Sequence, residues 1–309
     1  MPQANGIVIE TNNLTHRYGK FVAVQDLNLQ VYQGEIFGFL GPNGAGKTTT
    51  IRTLLDFIRP SSGSASIFGM DTVRDSVAIR GRIGYLPSEL TLLDNWTGLD
   101  YVHWLETVRG ATNGFVPEAQ RLAERLGYDL TRSLKGLSTG MRRQMGLIVA
   151  LAHKPELLIL DEPTTGLDPL MQQVTHEFMR EARREGRTVF MSSHNLPEVE
   201  AICDRVGIIR EGRLEAVETI NDLTRVTFRW IEFTFDGTVP VDDFLTLAGV
   251  SEISADGTRL RMRISGDTNM DALLKLAARH TVTSLDLEHP SLEEIFLAYY
   301  GHRSKEVGR

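Results

Sequence analysis

Glu35-Ile-Phe-Gly-Phe-Leu-Gly-Pro-Asn-Gly-Ala-Gly-Lys-Thr48 is the stretch that decides the fold. A short apolar run ends at Leu40 and passes straight into Gly41-Pro-Asn-Gly-Ala-Gly-Lys-Thr48, the pattern G-x-x-x-x-G-K-[ST]. Gly41, Asn43, Gly44, Ala45 and Gly46 let successive backbone N–H groups turn toward one point. A helix predicted from about Lys47 to Phe57 adds its positive end there. Lys47 brings a full charge to the outer phosphates of a nucleotide, the Thr48 hydroxyl suits Mg²⁺, and Thr49 extends the cradle. Chance yields such a loop now and then, but an apolar strand before it and a helix after it make nucleotide binding the reading. The loop alone does not separate kinases, GTPases and transport ATPases.

Further along, Leu157-Leu-Ile-Leu-Asp161-Glu162 is an apolar strand ending in two carboxylates. A continuous apolar run is expected of a parallel strand covered on both faces. Its end points toward the phosphates in a P-loop fold, so Asp161 is placed to hold Mg²⁺. Glu162 projects differently and is placed to deprotonate the attacking water. Arg187-Thr-Val-Phe-Met-Ser192 reads as another covered strand, and Pro169 to Arg184 as the helix between them. Short strands are also expected at Ile7 to Glu10, Leu27 to Val31 and Arg82 to Leu86, with a turn at Pro60-Ser-Ser-Gly-Ser64. From about Thr97 to His153 the signals are helical; Ala119, Leu122, Ala123 and Leu126 fall at helix spacing, and Met145, Leu147, Ile148 and Leu151 look like core. Arg142 and Arg143 read as a solvated helix face.

After Arg213-Leu-Glu the character changes. Val226 to Phe235 alternates with aromatics, but its apolar phase flips between Trp230 and Ile231, which a bulge would reconcile. Arg259, Arg261 and Arg263 alternate with Leu260, Met262 and Ile264, the arginines forming a solvated outer stripe. Met270, Leu273, Leu274 and Ala277 make one helical face. A boundary is placed near residue 222, giving a first domain over 6–220, with its helical insertion at about 90–153, and a small α+β domain over 222–309.

Composition narrows the classes. The chain has 309 residues, of which 41% are hydrophobic, enough to bury a sizeable core without a disulfide or metal. Cys203 is the single cysteine, so no internal disulfide forms. A net charge of -7 argues against a nucleic-acid partner. Met1 to Ile9 has no basic flank with an apolar core, so no secretory signal is expected. No run approaches the ~18 apolar residues of a membrane span, so any membrane role must come from a partner.

Together the motifs resemble one family, the ATP-binding cassettes of ABC transporters. Leu137-Ser-Thr-Gly-Met141 resembles the signature sequence usually written LSGGQ. Asp161-Glu-Pro-Thr-Thr-Gly-Leu-Asp-Pro169 looks like the acidic motif running into the D-loop. His194, in Ser192-Ser-His-Asn195, stands where the family carries its switch histidine, and Tyr18, in His16-Arg-Tyr-Gly-Lys20, resembles the aromatic that stacks on adenine. These matches fall in the family's order over about residues 6 to 217. Pro290-Ser-Leu-Glu-Glu-Ile-Phe-Leu-Ala-Tyr299 is similar to the ending of cassettes from ABC-2 type drug and antibiotic exporters.

The resemblance implies an α/β P-loop cassette with a RecA-like core, an antiparallel β subdomain and a helical subdomain, followed by the α+β domain. It implies ATP and Mg²⁺ as ligands, with Glu162 as base and His194 steadying the γ-phosphate. Ser138 and Gly140 are implied to act on ATP held by a second cassette in a homodimer or pair, and Asp168 to serve as helix cap and dimer contact. An integral membrane permease is the implied partner, contacted near Trp96, Tyr101, Trp104 and Leu105, on the cytoplasmic face of the membrane.

Two positions depart from the family. Where it places Gln or Glu after Tyr85-Leu-Pro87, this chain has Ser88 followed by Glu89, so either Glu89 takes over through a one-residue shift or a water fills the gap. Thr139 and Met141 replace the third and fifth signature residues. Two rival readings are a non-transport cassette ATPase of repair or ribosome systems, and a nucleotide-dependent regulatory subunit with negligible turnover. The first fits poorly with one P-loop, one signature and no long coiled coil.

Overall fold

In the computed structural model, which describes residues 6–110, 114–226, 228–237 and 239–288 with residues 290 and 294, the chain opens on a β-hairpin. β1 (Ile7–Tyr18) pairs antiparallel with β2 (Phe21–Tyr32) and, on its other edge, with β4 (Ser62–Ile67), which pairs with β5 (Met70–Asp71). This four-stranded sheet, ordered β2-β1-β4-β5, belongs to the first of two units, Met1–Val217 and Glu218–Arg309. The strand expected at Leu27 to Val31 is the second half of β2. The turn expected at Pro60 to Ser64 is shorter than read, because Ser62 already pairs with Thr15 in β4.

The second sheet of this unit is ordered β10-β9-β3-β8-β7-β6. Its members are β3 (Ile36–Leu40), β6 (Ile83–Leu86), β7 (Leu157–Asp161), β8 (Thr188–Ser193), β9 (Arg205–Arg210) and β10 (Arg213–Thr219). From β9 to β6 all neighbours are parallel. β9 and β10 join through Glu211–Gly212, both at positive φ (48° and 78°), as a tight hairpin requires. β3, β7 and β8 are buried along their whole length, as strands covered on both faces must be. Phe190 stacks on Phe37 at 5.8 Å and tilts against Phe39 at 5.5 Å in this core; each such ring adds about 2–3 kcal/mol by leaving water.

The expected helices form with small shifts, and two short helices that the sequence reading did not include join them in this unit. α1 (Lys47–Leu54) stops before the expected Phe57, because Asp56 takes a positive φ of 55°. α2 (Ser76–Gly81), α6 (Pro169–Arg184) and α7 (Leu196–Ile202) flank the strands. Between β6 and β7 lies the helical segment: α3 (Gly98–Val108), α4 (Phe115–Arg125) and α5 (Thr139–Ala152). α5 is buried on most sides, Met145, Leu147, Ile148 and Leu151 among them.

Parallel register then sets the functional edge. Leu40 aligns with Ser193, and Asp161 aligns with Ser192. The next residues, Gly41, His194 and Glu162, therefore leave the sheet side by side at its carboxyl edge, where α/β folds bind ligands.

The second unit holds β11 (Phe228–Phe235), β12 (Val250–Asp256), β13 (Arg259–Ser265) and β14 (Val282–Glu288), ordered β12-β13-β11-β14, with α8 (Ile220–Val226), α9 (Val241–Phe244) and α10 (Met270–Ala277). Ile231, Phe233, Phe235, Leu260, Met262 and Ile264 meet Phe244, Leu273 and Ala277 in one core. Leu274, expected on the same helical face, is 41% exposed.

The bulge expected near Trp230 is absent: β11 runs against β13 without a register shift from Phe228 to Thr234. The phase flips because Phe228 and Trp230 lie on the sheet's second face under arginines. Arg263 sits 3.6 Å from the Phe228 ring centre and Arg261 4.6 Å from that of Trp230, while both pair with carboxylates, Glu252 and Glu288. The arginine stripe is thus stacked and ion-paired rather than merely solvated, and Arg259 joins it through Glu232. The ending Pro290 to Tyr299 lies outside the described residues except for 290 and 294.

Candidate nucleotide site

The loop between β3 and α1 keeps its shape through its glycines. Gly44 and Gly46 have φ of 80° and 107°, the left-handed region that other residues avoid. A Cβ on Gly41 would stand 2.3 Å from the Ile209 carbonyl, and one on Gly46 would stand 2.6 Å from that of Ala23. The loop is anchored by Gly41 N–H donating to the Ser193 carbonyl at 3.1 Å. Gly46 immediately precedes α1, whose first N–H groups lack partners within the helix.

Side chains converge on this loop. Lys47 is 5% exposed; its ammonium donates to the carbonyls of Gly41 at 2.7 Å and Pro42 at 3.1 Å, and lies 3.5 Å from Glu162. Burial lowers its pKa, opposed by the Glu162 and Asp161 charges. Thr48 donates its hydroxyl to Asp161 Oδ2 at 2.8 Å, so the β3–α1 loop and the end of β7 share one point. Asp161 is fully buried and also accepts from Ser192 Oγ at 2.5 Å.

Glu162 stands beside these groups in a strained backbone, with φ of 51°. Its carboxylate meets His194 Nδ1 at 3.2 Å and accepts from Thr165 Oγ1 at 3.1 Å. Burial pushes its pKa up, but His194 and Lys47, with the His194 and Thr165 hydrogen bonds, hold it below the ordinary carboxylate value. The group therefore stays ionised and able to accept a proton.

The other expected residues lie around this cluster or apart from it. Tyr18 ends β1, 47% exposed, edge-on to His16 at 4.6 Å and opposite the 65% exposed Phe21 across the hairpin. Ser138 is the N-cap of α5, accepting from Met141 N–H at 3.3 Å. Gly140 packs so closely that a Cβ would stand 2.9 Å from the Gly166 carbonyl. Asp168 caps α6, accepting from Met171 N–H at 3.0 Å. Glu89 is exposed and Ser88 half-buried; what is engaged at Ser88 is its carbonyl, which accepts from Arg143 at 2.8 Å.

Arg143 is the clearest correction. It is 5% exposed, not solvated, and its guanidinium also donates to the carbonyls of Pro87 at 2.7 Å and Asp161 at 3.3 Å. The signal was available: Arg143 precedes Leu147 by four residues and Ala150 by seven, on the buried side of α5. A second group that sequence reasoning passed over is Glu198. Buried on α7, it accepts from Thr164 and Ser193, each at 2.6 Å, tying the residues after Glu162 to the strand end before His194. No local pattern announces it, since its partners come from two distant segments.

A glycine-lysine loop on a parallel strand, a buried aspartate on its hydroxyl and an ionised glutamate between lysine and histidine define a P-loop nucleotide-binding cassette. The comparisons with known proteins then narrow that class. Residues 24–165 match the family described as ABC transporter, and residues 221–300 match that described as ATP-binding protein DrrA1-3-like, C-terminal domain. The linearmycin resistance ATP-binding protein of Bacillus subtilis is 33% identical over 97% of this chain and 100% of its own length. The daunorubicin/doxorubicin resistance ATP-binding protein of Streptomyces peucetius is 33% identical over 95% of this chain and 92% of its own. Among solved structures, an ATP-binding subunit of an ABC transporter aligns with TM-score 0.66 and 28% identity over 71% of this chain and 92% of that one. A dimeric ATP-binding cassette in a post-hydrolysis state with ADP and Pi aligns with TM-score 0.62 and 21% identity, covering 69% and 98%, and shows the fold alone. The chain belongs to the ABC transporter ATP-binding proteins: it is an ABC ATPase, the ATP-binding subunit of a transporter.

Proposed function

We propose that this chain powers an ABC-2 type exporter as a homodimer or paired cassette, seated peripherally on the cytoplasmic face of the membrane beneath an integral membrane permease. One observation carries the reading: three parallel strands end together, and Lys47, Thr48, Asp161, Glu162 and His194 surround a single point. No helix among the described residues is long and apolar enough to cross a membrane, which agrees with a separate permease. The relatives named for linearmycin and daunorubicin/doxorubicin resistance support a drug or antibiotic as the cargo class.

In this reading Gly41, Asn43, Gly44, Ala45, Gly46, Lys47, Thr48 and Thr49 bind the ATP phosphates, and Tyr18 stacks on the adenine. Thr48 and Asp161 would hold Mg²⁺, whose preference for few protein oxygens plus phosphate fits that pair, and which would draw charge from the β- and γ-phosphate oxygens when bound. Ser88 is short and Glu89 exposed, so neither is assigned to that ion, and water would supply the remaining oxygens. Glu162 accepts a proton from water as the water oxygen bonds to the γ-phosphorus; the bond to ADP breaks and His194 steadies the developing charge. Ser138 and Gly140 of the second copy offer the start of α5 to that γ-phosphate, and Asp168 contributes to the dimer contact.

Trp96, Tyr101 and Trp104 form a ring cluster with centroids 5.7–6.5 Å apart, Trp104 being 42% exposed. With Leu105 they are assigned to the permease contact. Replacing Glu162 with Gln leaves ATP binding intact and lowers turnover by about 10³-fold; parental turnover rejects it as base. Lys47→Ala loses most ATP affinity, and unchanged binding in a fluorescent-nucleotide titration rejects the loop assignment. Co-purification of a polytopic membrane protein with the full chain from membranes tests the exporter assignment; recovery of the chain with ribosomes or DNA instead overturns it.

A further inference from the structure

The peptide that joins Asp161 to Glu162 is held at both of its polar atoms. Its carbonyl accepts from Arg143 Nη1 at 3.3 Å, and its N–H donates to Ser192 Oγ at 3.0 Å. Both partners are buried, Arg143 at 5% and Ser192 at 0% exposure. The same peptide leads into Glu162, whose φ of 51° lies in the left-handed region that strains a non-glycine residue. A strained residue persists only when its surroundings over-determine it, and these two side chains supply that determination.

Arg143 is also unusual in its partners. Among the described residues it has no salt bridge; its fork is filled by the main-chain carbonyls of Pro87, Ser88 and Asp161. A buried cation satisfied by carbonyls alone is costly, and a merely structural tie between loops would be met as well by a neutral donor. Its charge instead faces the acidic pair, and Asp161 and Glu162 both favour its charged form against burial.

We infer that Arg143 and Ser192 are positioning residues that clamp the Asp161–Glu162 peptide and so aim the Glu162 carboxylate at the attacking water. The inference rests on Glu162 being the base. Because α5 opens at Ser138 and carries Arg143 on its second turn, one helix presents both the signature turn and the clamp.

The test uses the full chain carrying Arg143→Gln, Ser192→Ala or Glu162→Gln, each checked for a cooperative unfolding transition. Steady-state ATPase and nucleotide affinity are measured at saturating Mg²⁺. The clamp predicts that Arg143→Gln and Ser192→Ala lower kcat about 10- to 100-fold while KM and ATP affinity change less than about threefold, the signature of a misplaced catalytic group. Parental kcat in a folded variant, or kcat and affinity falling together, overturns the clamp. If Arg143→Gln fails to fold, Ser192→Ala alone decides by the same criteria. Parental turnover in Glu162→Gln would instead remove the base assignment and the clamp with it; a dead Glu162→Gln beside parental clamp variants removes only the clamp.

Discussion

Glu162 and Arg143 show what one residue can and cannot disclose. The acidic pair is legible because an apolar strand ends in it and a phosphate loop precedes it; two local patterns support each other. The backbone strain at Glu162 is not legible, since a φ of 51° reflects the Arg143 and Ser192 contacts from segments far along the chain. His153 gives a prediction of the same grain. It ends α5 with Nε2 3.1 Å from the Ile83 carbonyl, and burial, with Arg109 nearby, lowers its pKa from 6.5 to about 4. The folded chain then binds fewer protons than the unfolded chain between these values, so stability is full above pH 6.5 and falls as pH drops toward 4. Between pH 7 and pH 5 this group alone removes about 2 kcal/mol. Urea unfolding of the parental chain and His153→Asn at both values checks it: the variant loses that much less over the interval, and equal losses contradict it.

At the scale of elements, β3, β6, β7 and β8 follow their sequence patterns because covered parallel strands read as continuous apolar runs, whereas β1 runs on past the expected Glu10 to Tyr18, and β4, β5, β9 and β10 lie outside the expected strands. α6 spans Pro169–Arg184 as its Asp-Pro start predicts. In the second unit a pattern misled, because Phe228 and Trp230 look like core yet lie beneath arginine planes; apolar alternation does not register a cation as a lid. α5 offers the sharpest test of an element with two duties. Ser138 caps it, and Asp caps a helix as well as Ser does. Ser138→Asp should therefore stay within about 0.5 kcal/mol of parental stability, whereas Ser138→Ala loses about 1 kcal/mol. If the cap also faces a triphosphate, Ser138→Asp lowers ATPase activity at least about tenfold through like-charge repulsion. Activity that tracks stability across the two variants would leave Ser138 as a cap and nothing more.

For the whole molecule, each chain carries one glycine-lysine loop and one signature turn, and the proposed chemistry joins the loop of one copy to the turn of another. ATP gains the Ser138 and Gly140 contacts only in the closed pair and so binds it more tightly, and a ligand shifts an equilibrium by that difference in affinity. In the proposed function hydrolysis removes the difference and lets the pair open, and that opening would move an attached permease between two states. Neither the cargo nor the permease is legible in the chain, because the motifs read from it concern the nucleotide and none of them describes a cargo site. The central claim is tested most directly by sedimentation of the Glu162→Gln chain with Mg²⁺ and either ATP or ADP. The account predicts a dimer with ATP, monomer with ADP, and loss of the ATP-dependent dimer when Ser138→Asp is added. A chain that stays monomeric in saturating ATP, or a dimer indifferent to Ser138→Asp, would contradict it.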